Sequence, residues 1–395
     1  MIITGMERWL QVGPQVAQLD GPLRYGLVAH PASIGRDGRH FLECAADSPA
    51  QLPTRLFAPE HGLWGHEQDM EGVSDGVDPW TGLDVVSLYG STADSLRPTP
   101  AALEGLDAVV VDLQDIGSRY YTFIYTMAYV MEACGELGIP VVVLDRPNPI
   151  DGVRVEGPML EPGWESFVGR FSLPVRHGMT SGELAGYFHD HCGCKCDLRV
   201  VEMRGWSRQL RFDQTGLPWA PPSPNMPAMS TALVYPGGCL IEGCELSEGR
   251  GTTLPFELVG SPTLDAREMA SRLRNKRLPG VTFRAASFRP MFQKHALAGC
   301  FGVQLVVDNH HEFQPFECYL EILAVARALD PEFAWRKKTY EFESERLAID
   351  LLCGNDWIRA GLEAGVSVDE LAARWRPALE PFMERREAQL LYTAD

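Results

Sequence analysis

Ala108-Val-Val-Val-Asp-Leu113 and Val141-Val-Val-Leu144 are two unbroken, largely β-branched runs, separated by the aromatic and small-residue stretch Tyr120–Leu137. Runs without polar alternation are typical of strands buried on both faces of a parallel sheet. The stretch between them ends at Gly138 with Pro140 beyond, which is how a helix stops. Strand, helix and strand at this spacing make a βαβ unit, and the fold class that follows is α/β with a doubly wound, mostly parallel sheet.

Working outward, residues 24–29 read as a first strand ending at His30-Pro31. A second apolar run, Leu56-Phe57-Ala58, stops at Pro59 and delivers Glu60 and His61 before Gly62. Asp84 to Gly90 and Leu198 to Met203 supply further strands. Thr99-Pro100 opens a short helix, and Thr180 with Glu183 forms a capping box for another. The polar passage from Gly62 to Gly82 lacks periodicity, and so long a loop is usually a functional lid or disordered. Five prolines between Pro218 and Pro227 mark a seam. The chain therefore divides into a doubly wound domain over 1–230 and a smaller α+β domain over 231–395. The smaller one carries helices at 265–276, 316–329, 367–375 and 377–390 and strands at 281–288 and 301–307.

With 395 residues, 45% apolar and 22% charged, the composition is that of an ordinary globular chain. A net charge of −18 disfavours nucleic acid, whose binding needs clustered Lys and Arg. It also requires a local cationic patch for any anionic substrate. No stretch approaches the roughly 20 apolar residues of a membrane span. Met1-Ile-Ile-Thr-Gly-Met-Glu-Arg8 has no basic region followed by an apolar core, so the expectation is a cytoplasmic protein. No glycine fingerprint follows the first strand and no phosphate loop is present, so no nucleotide cofactor is indicated. His189-Asp-His-Cys192-Gly-Cys194-Lys-Cys196 invites a metal, but its spacing is not that of structural zinc, and a turn with reduced thiols is the preferred reading.

The polar residues at the strand ends are Glu60, His61, Tyr89, Asp115, Arg119, Asp145, Arg146 and Asn148. A parallel sheet puts all of them on one edge, where open α/β sheets bind ligands. Taken singly, each has a structural alternative: an Asp there often caps the next helix, and Arg119 has Asp115 as a ready partner. Two carboxyls, one neutral and one ionised, are what glycoside hydrolysis needs. A second cluster, Glu242 to Thr253 with Glu248, Arg250 and interleaved glycines, reads as a cleft wall reaching over from the smaller domain. His177 serves equally well as a ligand group or as a satisfied histidine. The rings of Tyr120, Tyr121, Phe123 and Tyr125 are core by default.

Seven motifs in order carry a family resemblance: Ala58-Pro-Glu-His-Gly, Ser87-Leu-Tyr-Gly, Gln114-Asp-Ile-Gly-Ser-Arg-Tyr-Tyr-Thr, Leu144-Asp-Arg-Pro-Asn-Pro, Val175-Arg-His-Gly-Met-Thr, Pro222-Ser-Pro-Asn-Met-Pro and Ser247-Glu-Gly-Arg-Gly-Thr-Thr. Together they resemble the exo-β-N-acetylmuramidases, a glycoside hydrolase family formerly known as a domain of unknown function. The resemblance implies a Rossmann-like amino-terminal domain, a smaller carboxy-terminal domain and an active site between them. It implies release of N-acetylmuramic acid from non-reducing ends of peptidoglycan-derived saccharides, without metal or organic cofactor. The family's catalytic glutamate falls on Glu60, with His61 holding it. Asp115 is the expected second carboxylate, with Asp145 or Glu248 behind it. Arg119, Arg146 and Arg250 are candidates for the substrate's lactyl carboxylate. Asn225, in the Pro-Ser-Pro-Asn motif, is carried as a binding residue with Tyr89, Asn148, His177 and Glu242. Two loops depart from the family pattern: Trp64-Gly-His-Glu-Gln-Asp-Met70 replaces an Arg-Gly-Asp-like segment, and Cys244-Glu245 replaces a Thr-Asn pair. The competing readings are a metal- or nucleotide-dependent hydrolase and a sugar-binding protein without catalysis.

Overall fold

A computed structural model describes residues 1–48 and 51–394. Its strands, in chain order, are β1 (Tyr25–Ala29), β2 (Arg55–Ala58), β3 (Gly76–Val77), β4 (Asp84–Ser87), β5 (Ala108–Asp112), β6 (Val141–Leu144), β7 (Glu156–Met159), β8 (Pro174–Arg176) and β9 (Leu198–Val201). Seven of these form one sheet in the order β3-β4-β2-β1-β5-β6-β9, while β7 and β8 pair as a separate ribbon. Every neighbouring pair in the large sheet is parallel except β3 with β4.

The register shows why the apolar runs are unbroken. Leu56, Leu27, Val110 and Val142 lie side by side across β2, β1, β5 and β6. The next residues, Phe57, Val28, Val111 and Val143, form a parallel row on the opposite face. Each row belongs to a different buried core, so both faces of the sheet are covered. That is the α/β, Rossmann-like arrangement. From β1 the chain winds one way through β2 and β4, then returns to β5 on the other side of β1 and winds the other way. Such a reversal opens a crevice beyond the strands' carboxyl ends.

Three more strands, β10 (Leu258–Ser261), β11 (Val281–Phe288) and β12 (Cys300–Val307), make an antiparallel sheet in the order β10-β12-β11. Buried and open positions alternate along β11, as expected for a sheet with one covered face. Helix Ala266–Lys276 packs against β11 and β12, and helix Pro315–Leu329 packs against that helix. This is the smaller α+β unit.

Two expected elements differ. The helix read from Tyr120 starts at Phe123, because Tyr121 turns back to the Ser118 carbonyl and Tyr125 to that of Thr122. The terminal helix read over 377–390 is a 3-10 turn, Arg376–Leu379, followed by helix Glu380–Glu387, with prolines at 377 and 381 inside the opening turns. Among the described residues no helix is long and apolar enough to cross a membrane.

β1 contains Gly26, where a Cβ would stand 2.5 Å from the Phe57 ring and 2.9 Å from Leu106. Gly26→Ala is expected to lower unfolding free energy by about 1–3 kcal/mol, the usual overpacking cost. Adding Phe57→Leu should return part of the loss. Urea unfolding of the single and double variants checks this, and an unchanged midpoint for Gly26→Ala would count against the packing.

Candidate active site

β2 ends at Ala58, and Pro59 turns the chain so that Glu60 faces the gap between the two units. Glu60 is 6% exposed, and its Oε2 accepts a hydrogen bond of 2.6 Å from the Thr122 hydroxyl. Thr122 sits in the turn that delays the helix start, so the same turn serves packing and site. His61 adopts φ +68°, a left-handed conformation that is costly for a non-glycine residue and clusters at functional sites. Its Nδ1 lies 2.9 Å from the Glu67 carbonyl. That carbonyl requires the proton on Nδ1, which leaves Nε2 as the basic nitrogen of the neutral ring.

The cavity in front of Glu60 and His61 is closed by the smaller unit. Its wall includes Asp69, Tyr121, Asn225, Glu242, Arg250 and Glu341. Asn225 is fixed by donating to Gln68 Oε1 at 2.9 Å. Arg250 donates to Glu242 Oε1 at 2.7 Å, pairs with Asp69 and lies 3.8 Å from Glu248. Burial works against its charge, but Glu242, Asp69 and Glu248 outweigh it and hold its pKa well above the usual value. Burial raises Glu242 in spite of Arg250, and the Tyr340 hydroxyl donates to it at 2.7 Å. Burial also opposes Glu248, but Lys294, at 2.9 Å, and Arg250 bring its pKa below the ordinary range.

Glu341 is the residue that sequence reasoning missed. It lies in the tight turn Tyr340–Glu343, closed by reciprocal backbone hydrogen bonds, with φ +52°. Its Oε2 accepts from the Tyr89 hydroxyl at 2.8 Å. Burial first, and then the charge of Glu60, push its carboxyl well above the usual range, against the hydrogen bond from Tyr89. Tyr89 itself packs on Phe167 and Phe342, with centroids 5.4 and 5.8 Å away.

Seven expected site residues point elsewhere. Arg119 is fully buried and donates to the carbonyls of Pro158, Leu173 and Leu352 at 2.7–2.8 Å. It is a strut, not a substrate contact. Arg146 forms a two-pronged pair with Asp112 at 2.6 and 2.8 Å, inside the sheet edge. Asp145 receives the Gly182 amide and the Thr180 and Tyr392 hydroxyls, so it anchors the helix Ser181–His191, and burial pushes its pKa up to about 7. Asn148 donates to the Met179 carbonyl and accepts from the Ile150 amide. His177, wholly buried, has Nε2 3.2 Å from Asp115 Oδ2. Asp115 also accepts from the Gly117 amide at 2.7 Å. Neither Asp115 nor His177 reaches the cavity wall; Asp115 stands behind Tyr121, whose phenol feels its charge. Glu248 is taken up by Lys294 one layer back. The strand-end rule located the right edge, but each strand delivers side chains to both the crevice and the interior below it.

Comparison with known proteins bears directly on this cleft. Residues 25–230 match the family model for the exo-beta-N-acetylmuramidase NamZ N-terminal region, and 233–392 match that for its C-terminal region. The chain belongs to the NamZ family. It is 44% identical to the peptidoglycan beta-N-acetylmuramidase NamZ of Bacillus subtilis (strain 168), over 95% of this chain and 88% of that protein. Among solved structures it is similar to two DUF1343 family proteins of Bacteroides fragilis. One has a TM-score of 0.86 at 30% identity, covering 99% of each chain. The other has a TM-score of 0.76 at 28% identity, covering 100% of each.

The cysteine motif of this family member runs from the end of helix Ser181–His191, capped at Cys192, into the irregular segment before β9. Cys194 is fully buried, burial pushes the thiols of Cys192, Cys194 and Cys196 up to about 12, and no metal-binding group of His, Cys, Asp and Glu occurs among the described residues.

Arg119→Met withdraws the guanidinium from three buried carbonyls, of which that of Leu173 keeps the Leu160 amide. It is expected to lower unfolding free energy by at least about 2 kcal/mol, since each unsatisfied buried group costs about 1–3 kcal/mol. Denaturant unfolding measures it; wild-type stability together with a raised KM for substrate would restore Arg119 as a binding residue.

Proposed function

We propose that this chain releases terminal N-acetylmuramic acid from non-reducing ends of peptidoglycan-derived saccharides, with proton transfer centred on Glu60. The observation that carries the reading is the placement of Glu60. It is a nearly buried glutamate at the end of β2, hydrogen-bonded by Thr122, facing a cavity closed by the second unit, in a chain of the NamZ family. A general acid or base must reach the glycosidic oxygen or the attacking water, and the cavity wall offers Glu60 that access. His61, with its tautomer fixed by the Glu67 carbonyl, acts as the positioning residue at its side.

An exo-acting enzyme needs a pocket for one terminal sugar; the cavity in front of Glu60 measures about 40 Å3, so its walls must part to take one. Of the three arginines considered for the lactyl carboxylate, Arg250 lies on the wall. Its position is fixed by Glu242 and Asp69, so it meets substrate pre-oriented. Asn225 adds to the polar lining from the Rossmann-like side, and Tyr89 acts through Glu341, to which its hydroxyl donates. We divide the chain at 230/231, a division supported by the seam between the two family models. We place the protein in the cytoplasm, where reducing conditions suit its ten unpaired cysteines. No step is routed through a metal.

Glu60→Gln is expected to reduce release of N-acetylmuramic acid from a MurNAc-GlcNAc disaccharide by about 10²- to 10⁴-fold, the usual contribution of an acid/base group. Prior dialysis against EDTA should leave the parent rate unchanged. A variant within tenfold of the parent would remove Glu60 from this role. Binding of disaccharide by the parent chain without any product would favour a sugar-binding protein instead.

A further inference from the structure

A second cavity, of about 350 Å3, adjoins the first. The two share Val168, Tyr340 and Glu341, so these residues form the partition between them. The second cavity is walled by the rings of Tyr129, Phe167 and Phe342, with Arg170 beside them. Arg170 stacks over Tyr129 at 3.9 Å and is held by Glu132 at 2.8 Å. Apolar faces with a few fixed polar groups suit a pyranose ring, and the volume is in the range of about 300–1,000 Å3 usual for small-ligand sites. On the partition, the chain is forced into a left-handed conformation at Glu341 and its carboxyl is steered by the Tyr89 hydroxyl. Strain of this kind persists only where surrounding structure enforces it, and it clusters at active sites. On the first cavity's wall the buried Tyr121 hydroxyl, beside Ser223, makes no well-directed hydrogen bond within the protein. It is a polar group available to a sugar.

We infer that Glu341 is the second catalytic carboxyl, giving its proton to the leaving glycosidic oxygen, while the neighbouring aromatic cavity takes the departing amino-sugar saccharide. The inference rests on the glycosidase reading above and deepens it. A bond joining a sugar in the first cavity to one in the second must cross the partition where Glu341 stands. As the C1–O bond breaks, the Glu341 proton passes to the leaving oxygen, and the saccharide departs with a free hydroxyl. A water supplies the new oxygen on C1, and its proton ends on the Glu60 carboxylate. Exchange with solvent moves that proton back to Glu341, so atoms and charge balance. Burial and the charge of Glu60 both raise the Glu341 carboxyl, which favours the neutral form that a proton donor needs.

The test compares two substrates that differ only in what leaves. One is the MurNAc-GlcNAc disaccharide, whose sugar alkoxide needs a proton; the other is an aryl N-acetylmuramide with a 4-nitrophenolate leaving group, which does not. Glu341→Gln is expected to lose at least about 100-fold in kcat on the disaccharide, and less than tenfold on the aryl glycoside. Glu60→Gln should lose heavily on both. Glu341→Asp, which keeps a carboxyl, should recover part of the disaccharide rate. It carries the same two-substrate comparison if the Gln variant fails to fold. Equal losses on both substrates, or none on the disaccharide, overturn the role of Glu341 while release by the parent keeps the glycosidase reading. No release by the parent overturns both.

Discussion

The site depends on a clamp between the two units, and the buried guanidinium of Arg119 is its centre. Three carbonyls receive it, two beside the β7–β8 ribbon and one, Leu352, in the carboxy-terminal part of the chain. An unpaired buried charge costs far more than a paired or hydrogen-bonded one, so these contacts cannot be given up one at a time. The adjacent Tyr120 adds a second tie by donating to the Pro236 carbonyl at 2.8 Å. Glu60 and Glu341 lie 281 positions apart in sequence (341 − 60). Only a fixed spacing between sheet edge and smaller unit lets them share one cavity.

Charge is distributed around that cavity in layers. Nearest Glu60 and Glu341 the wall is acidic. Arg250 is inserted among Glu242, Asp69 and Glu248, and Lys294 stands behind Glu248. Burial alone would drive these acids toward their neutral forms, and the two cations offset this unequally. Glu248 comes out below the ordinary carboxylate range, Glu242 above it and Glu341 well above it. Environments that separate the pKa values of neighbouring carboxyls are how one site holds both a proton donor and an ionised partner at neutral pH.

Much of the architecture was legible from β-branched runs and their stops. The strands of the large sheet were placed within about three residues apart from β3, because burial on both faces leaves an unbroken apolar signature. The β7–β8 ribbon and the helix Met229–Gly238 were not, since Gly- and Pro-rich segments carry no period that separates them from loops. At the site, Pro59-Glu60-His61 could be read because a strand stops there abruptly. Asp145, Arg146 and Arg119 sit at equally abrupt stops yet turn inward, where helix capping and burial take them. Position along the chain gives the edge of a sheet but not the direction of a side chain. Glu341 left no periodic trace at all. Its only signal was a polar and aromatic sequence, Tyr340-Glu-Phe-Glu343, in a stretch with neither helical nor strand patterning.

The most direct measurement is a crystal structure of the Glu60→Gln chain soaked with MurNAc-GlcNAc. The account predicts the muramic ring enclosed beside residue 60 and Arg250, with the glycosidic oxygen within hydrogen-bonding reach of Glu341, about 2.6–3.2 Å, and the second sugar against Phe342. Disaccharide bound away from the Tyr340–Glu343 turn, or with its glycosidic oxygen turned from Glu341 and residue 60 alike, would contradict it.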